Sequence, residues 1–180
     1  DWTTDPLVSL HFAAVSAMKR LEDDKNRRPT HLAVWSTSIG HLEFANCLNS
    51  KCGPHIVHPP RADNPNLTAQ RGVFTLCRQK IAMPVKNNQE IDRRPLNEQV
   101  AATLSARTSE EKEEFAKRFG WLDYNPPFFI KYTLPIGQAP ILYDLLQARG
   151  YDSGRLYPGF GGAAQSVMNA ATVLRLRLRN

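Results

Sequence analysis

Cysteine is scarce in this chain of 180 residues, limited to Cys47, Cys52 and Cys77. An odd, low count cannot staple a small scaffold. It excludes a disulfide-dense secreted fold and points to a reducing, cytoplasmic compartment. Long apolar runs are missing too, since none approaches the roughly 18 residues that a membrane-spanning helix needs. No cleavable leader opens the chain, whose first residues carry Asp1, Asp5 and Pro6 where a leader would be basic and then apolar. Local signatures of common enzymes are absent as well. There is no G-x-S-x-G elbow, no H-E-x-x-H pair, no G-x-x-x-x-G-K-[ST] loop and no G-x-G-x-x-G following a strand. The "GFGG" of Gly159–Gly162 lacks the preceding strand that phosphate binding requires.

What is present describes a globular protein. Hydrophobic residues make up 42% and charged residues 22%, enough for one domain over residues 1–180 to bury a core. The net charge of +6 favours anionic partners such as nucleotides, nucleic acid or acidic protein surfaces. The cations are nevertheless scattered, as Lys19–Arg20, Arg27–Arg28, Arg93–Arg94, Lys117–Arg118 and Arg175, Arg177 and Arg179, a pattern that solvated faces also produce.

Periodicity predicts a mixed α+β fold. Asp5 as a cap, Pro6 in the first turn, and Leu7, Leu10, Ala14, Ala17 and Leu21 at helical spacing predict a helix over 5–24. Strands are expected at 31–38, 55–60, 71–77 and 126–135, where β-branched and aromatic residues concentrate. Further helices are expected over 39–53, 95–119, 137–150 and after Pro158–Gly159, with 61–70 read as a loop. The expected architecture is a mixed or antiparallel sheet of at least four strands flanked by helices.

Four constellations can carry chemistry. His41, Cys47, Cys52, His55 and His58 are soft ligands close in sequence, but their spacing fits no standard zinc motif, and no metal is expected. Ser36-Thr37-Ser38 ends a strand, where hydroxyls either shape a pocket or satisfy backbone groups. In "TAQRGVFTL", Gln70 sits at a sheet rim beside Arg71 and Gly72, and the glycine permits a close approach. The aromatic cluster over 119–129 offers stacking surface, or equally a small core under a loop.

Three stretches together carry a resemblance. "DWTTDPLVSLHFA", "NPNLTAQRGVFTL" and "QAPILYDLLQARGYDSGRLYPGFGGAAQSV" follow one another in the order and spacing of the FRG domain, which the chain resembles. The aromatic-Arg-Gly motif that names that family lies upstream of the Asp-Trp-Thr motif and is not found in these residues. The resemblance therefore implies the C-terminal part of such a domain, with an N-terminal segment of the same domain as a partner. It further implies a distant likeness to ADP-ribosyltransferases, which use NAD. On that likeness Asp1, Trp2 and Thr3 line a ligand pocket with Arg71 and Gly72, and Gln70 stands where those enzymes place a catalytic glutamate. An amide can bond a ribose hydroxyl but supplies no negative charge, and losing such an electrostatic contribution typically costs ~2.7–4 kcal/mol.

Two functions follow from the resemblance. One is an NAD-dependent ADP-ribosyltransferase-like enzyme with a protein acceptor, acting in bacterial or phage conflict. The other is a non-catalytic module that binds a nucleotide, nucleic acid or protein.

Overall fold

The computed structural model describes residues 2–23, 29–48, 53–60, 62, 64–77, 92–106, 108–118, 120 and 128–179. The chain divides into two compact units. The first comprises Asp1–Trp35, His58–Val73 and Lys131–Asn180, and the second Ser36–Val57 and Phe74–Ile130.

The first unit is built around α1 (Pro6–Asp23). Its start is set locally: the Asp5 carboxylate accepts the Leu7 amide proton at 3.0 Å, and Pro6 occupies a position whose missing N–H costs nothing. Against α1 pack α6 (Ala139–Ala148), entered through a 3-10 turn at Ile136–Gln138, and α8 (Phe160–Leu178). Ala14, Ala17, Met18, Tyr143, Val173 and Leu176 supply most of the buried core between them. Small alanines on α1 bring the helices close, and Tyr143, the largest fully buried side chain, fills the centre. Between α6 and α8 lies the single-turn α7 (Ser153–Leu156), capped by the Asp152 carboxylate accepting from Arg155 N at 2.8 Å. In the same unit a short α3 (Pro65–Ala69) is capped by Asn64, whose side-chain oxygen accepts from Leu67 N at 2.9 Å.

In the second unit, α2 (Ile39–Leu48) packs on β3 (Pro54–Val57) and on α4 (Leu96–Ser105), and α5 (Ser109–Arg118) follows. Leu42, Ala45 and Val100 form its core, with Ile56, Phe128 and Phe129 against them.

The sheets correct the expected architecture. Among the described residues, β1 (Trp2–Thr3), β4 (Gly72–Cys77) and β3 form a three-stranded sheet in the order β1-β4-β3. β2 (His31–Ser36) and β5 (Ile130–Pro135) form a separate pair. Among the described residues no sheet of four or more strands is built, although each expected strand segment contains a strand. Both pairings onto β4 are antiparallel: Trp2 opposite Val73 and Thr3 opposite Gly72 in the first unit, and Pro54–Val57 opposite Cys77–Phe74 in the second. The strands are too short to organise a core, and β5 is exposed along most of its length, so helix packing carries the burial instead. The segment 61–70, expected as a loop, contains α3.

Gly162 marks a close backbone approach inside the first unit. A Cβ there would overlap the Tyr157 carbonyl oxygen and lie 2.7 Å from that of Ser153, whereas one at Gly161 would meet open space. Gly162→Ala is therefore expected to destabilise the fold by about 3 kcal/mol. Gly161→Ala, one residue earlier in the same helix, is expected to stabilise it by about 0.5–1 kcal/mol. Urea denaturation of the two variants beside the parent chain measures both signs.

Candidate functional site

Thr3, Gln70, Arg71 and Gly72, drawn together from distant parts of the sequence, do meet in the first unit. The antiparallel pairing of β1 with β4 brings the N-terminal strand onto the corner that follows α3. There the Thr3 hydroxyl donates to the Gln70 carbonyl at 2.7 Å and accepts the Asp5 amide at 3.1 Å. The Gln70 side-chain amide donates to the Leu156 carbonyl at 3.1 Å, tying the corner to the end of α7. Gln70 thus spends its nitrogen on a helix-end carbonyl, one of the groups that a helix cannot satisfy internally. Gly72 permits a close approach by the Leu67 side chain of α3, which a Cβ there would overlap. Trp2 is half-buried in β1, and Asp1 lies outside the described residues.

Asp5 is the hub. Its side chain is 7% exposed, with Oδ1 capping α1 and Oδ2 accepting the Tyr151 hydroxyl at 2.9 Å. Arg71 Nη1 lies 3.7 Å from the same Oδ2, while the Arg71 side chain stays 58% exposed. Its backbone is left-handed, with φ of 48°. That conformation costs a side-chain-bearing residue roughly 1–2 kcal/mol and would suit glycine. A second guanidinium lies on Tyr151, with Arg155 stacked over the ring at 4.4 Å and bonded to the Gly150 carbonyl. Arg155 was not singled out in the sequence. Its signal there was the Asp152-x-x-Arg155 spacing, which fixes the cation in the first turn behind a cap.

Beneath this surface lies a sealed polar chain. His11 is 1% exposed; its Nδ1 is 3.1 Å from the Tyr151 carbonyl, which can only accept, so Nδ1 carries the proton. The ring's Nε2 then accepts the Ser153 hydroxyl at 3.3 Å, Ser153 accepts from Asn169 at 3.0 Å, and Asn169 from Gln165 at 2.8 Å. A serine bonded to an imidazole resembles an activated nucleophile, but Ser153 is also 1% exposed and its oxygen is fully engaged. The chain is structural: it locks α1, the turn before α7, and α8 together. Burial lowers the His11 pKa, against the Tyr151 bond and the Asp152 charge, which raise it. Burial likewise raises the Tyr143 phenol and the Tyr157 phenol.

His41 is in α2 and His55 in β3, whereas Cys52 and the Cys47 side chain lie outside the described residues. Among the described residues no group of three or more His, Cys, Asp or Glu side chains converges. Ser36 closes β2 and the Ser38 carbonyl accepts the Leu42 amide, so that tripeptide starts α2. Most of the 119–129 aromatic segment is outside the described residues, while Phe128 and Phe129 pack on the second unit's core. A groove of about 290 Å³ between α1 and α8, lined by Met18, Lys19, Glu22, Met168, Thr172 and Arg175, contains none of the candidate site residues Asp1, Trp2, Thr3, Gln70, Arg71 and Gly72. Among the described residues no helix is long and apolar enough to cross a membrane.

The chain matches no family model, no curated protein and no solved structure.

The buried imidazole sets a pH dependence. His11 has a folded pKa below the ordinary 6.5, so under that pH the unfolded chain takes a proton that the folded chain resists. Stability is expected to fall as pH drops from about 6.5, and to be level with respect to His11 above it. His11→Ala should cost about 3 kcal/mol at neutral pH by leaving the Ser153 hydroxyl proton and the Tyr151 carbonyl without their His11 partner, and should flatten part of the acid-side slope. Urea midpoints at neutral and mildly acid pH check both; His41, also lowered by burial, keeps some slope in the variant.

Proposed function

We propose that this chain is an FRG-like domain that recognises a nucleotide through its phosphates, with NAD the ligand its resemblance implies, and that it binds without transferring. The observation that carries the reading is Arg71. A cation sits in a left-handed corner that favours glycine, with its guanidinium in solvent. Such local strain at an exposed charged side chain is a feature of binding sites. Arg155, stacked on Tyr151, supplies a second exposed guanidinium, and two planar donors suit the paired phosphates of a dinucleotide. Asp5 holds Arg71 in place while sharing only part of its charge.

Recognition is favoured over transfer by how the remaining groups are used. The Gln70 amide serves Leu156, the Asp5 carboxylate is shared among a helix cap, a phenol and a guanidinium, and His11 with Ser153 is sealed from solvent. An acid–base step needs a group within reach of substrate.

Titration of the 180-residue chain with NAD by calorimetry, alongside an assay of nicotinamide release, tests this. Binding is expected to weaken with added salt and to fall about tenfold or more in Arg71→Gly, the loss of one charge-assisted contact. The same variant should keep its stability within about 1 kcal/mol, because relief of the left-handed strain offsets the loss of an exposed ion pair. Nicotinamide release that Gln70→Ala abolishes would replace recognition with the transferase reading. Absence of NAD binding would overturn the nucleotide assignment.

A further inference from the structure

Two aromatic rings stand beside the Arg71 corner, and neither belongs to the buried core of the first unit. Phe12 of α1 and Tyr157, the residue after α7, are each 36% exposed. They meet edge to face, with ring centroids 6.1 Å apart and planes at 79°, a favoured aromatic geometry. Phe12 meets the His11 ring in the same manner at 6.0 Å, and that imidazole is fixed by both of its nitrogens. Tyr157 is held by its backbone. Its amide donates to the Ser153 carbonyl at 2.9 Å, and its own carbonyl lies against Gly162 of α8. The pair is therefore set at the surface before any ligand arrives.

Gln70 fixes where the rings stand relative to the cation. Its side-chain amide bonds the carbonyl of Leu156, the residue before Tyr157, and the next residue along the chain from Gln70 is Arg71. The spacing on α1 agrees. Phe12 follows Asp5 by seven residues, which is two turns to within about 20°, so both stand on one line of the helix roughly 10 Å apart. Arg71 is held at the Asp5 end of that line, and the ring pair lies at the other. A single exposed aromatic side chain is ordinary. A rigid aromatic step within a ribose's reach of an exposed guanidinium matches the two ends of a nucleotide, a flat ring and a phosphate.

We propose that Phe12 and Tyr157 form the base-stacking subsite of this site, with Tyr157 carrying the base and Phe12 supporting it. The inference rests on the nucleotide reading given above. A bare phosphate would satisfy Arg71 and leave both rings in water, whereas a nucleotide covers all three. Stacking accepts any flat base, so the chemistry recognised is a planar ring joined through ribose to phosphate, as at either end of NAD. Because the rings are already fixed, little ordering cost opposes binding.

Calorimetry on the complete 180-residue chain with NAD, ADP, nicotinamide mononucleotide and inorganic pyrophosphate tests this. Tyr157→Leu, which keeps an apolar side chain, should lower NAD affinity about tenfold, the effect of removing one base–aromatic stack. Its pyrophosphate affinity should stay that of the parent, while Arg71→Gly should weaken NAD and pyrophosphate alike. Tyr157→Phe should bind NAD as the parent does, and Phe12→Leu should show a smaller loss than Tyr157→Leu. Whichever of ADP and nicotinamide mononucleotide shares the Tyr157→Leu loss identifies the base. A second readout needs no variant: the ring protons of that base should move upfield in the proton magnetic resonance spectrum of NAD bound to the parent. Parental NAD affinity in Tyr157→Leu, an equal loss for pyrophosphate, or unshifted protons on both bases would overturn the subsite and leave phosphate recognition by Arg71 standing. Failure of the parent chain to bind NAD at all would overturn the nucleotide reading and this subsite with it.

Discussion

A single buried carboxylate ties together the parts of the first unit that matter most. Asp5 cannot be desolvated cheaply, so its position demands donors on every side. It receives an amide from its own helix, a phenol from the turn after α6, and a guanidinium from the corner after α3. Those three donors come from three separate segments. The carboxylate therefore sets where α1 begins, where Tyr151 stands and where Arg71 is held. Removing it would leave a helix without its cap and a half-buried phenol without its acceptor, two losses that reinforce each other.

His11 repeats the arrangement one layer deeper, with neutral groups. Its two ring nitrogens play opposite parts, one donating to a carbonyl and one accepting from a hydroxyl, which fixes the tautomer and leaves no vacancy for a substrate. The contrast between the layers separates structure from function in this unit. Inside, the chain from Gln165 to Tyr151 passes from donor to acceptor without a break. Outside, Arg71 and Arg155 keep most of their hydrogen-bonding capacity for something else.

Much of this was legible in the sequence where the cause is local. The helix of 6–23 was announced by a cap, a proline and a repeat of small and apolar residues, because all three act within a turn or two. Asn64 followed by Pro65 was an equally local signal for α3, but the pair serves turns as readily as caps, and a helix of five residues offers too little periodicity to decide. Strand positions were legible, since β-branched and aromatic residues cluster there. Their partners were not: pairing joins residues far apart, and nothing within β2 says that its neighbour is β5 alone. The meeting of Thr3 with Gln70 came from the resemblance to FRG domains. That the Gln70 amide would be committed to Leu156 depends on a backbone carbonyl 86 positions away, and carbonyls leave no trace in a sequence.

The sequence separations of the buried contacts carry a consequence for how the molecule is made. Asp5 and Tyr151 are 146 positions apart, and His11 reaches Tyr151 and Ser153 across 140 and 142. A ribosome exposes α1 long before it has made any of these partners. This helix must therefore wait with an acid and an imidazole unpaired until the segment around Tyr151 and Ser153 has been made. Contacts of such range close slowly, since the entropy of the long loop is lost before any bond is gained. The first unit is thus bound to complete itself late, after synthesis has passed Asn169, whatever the second unit has done meanwhile.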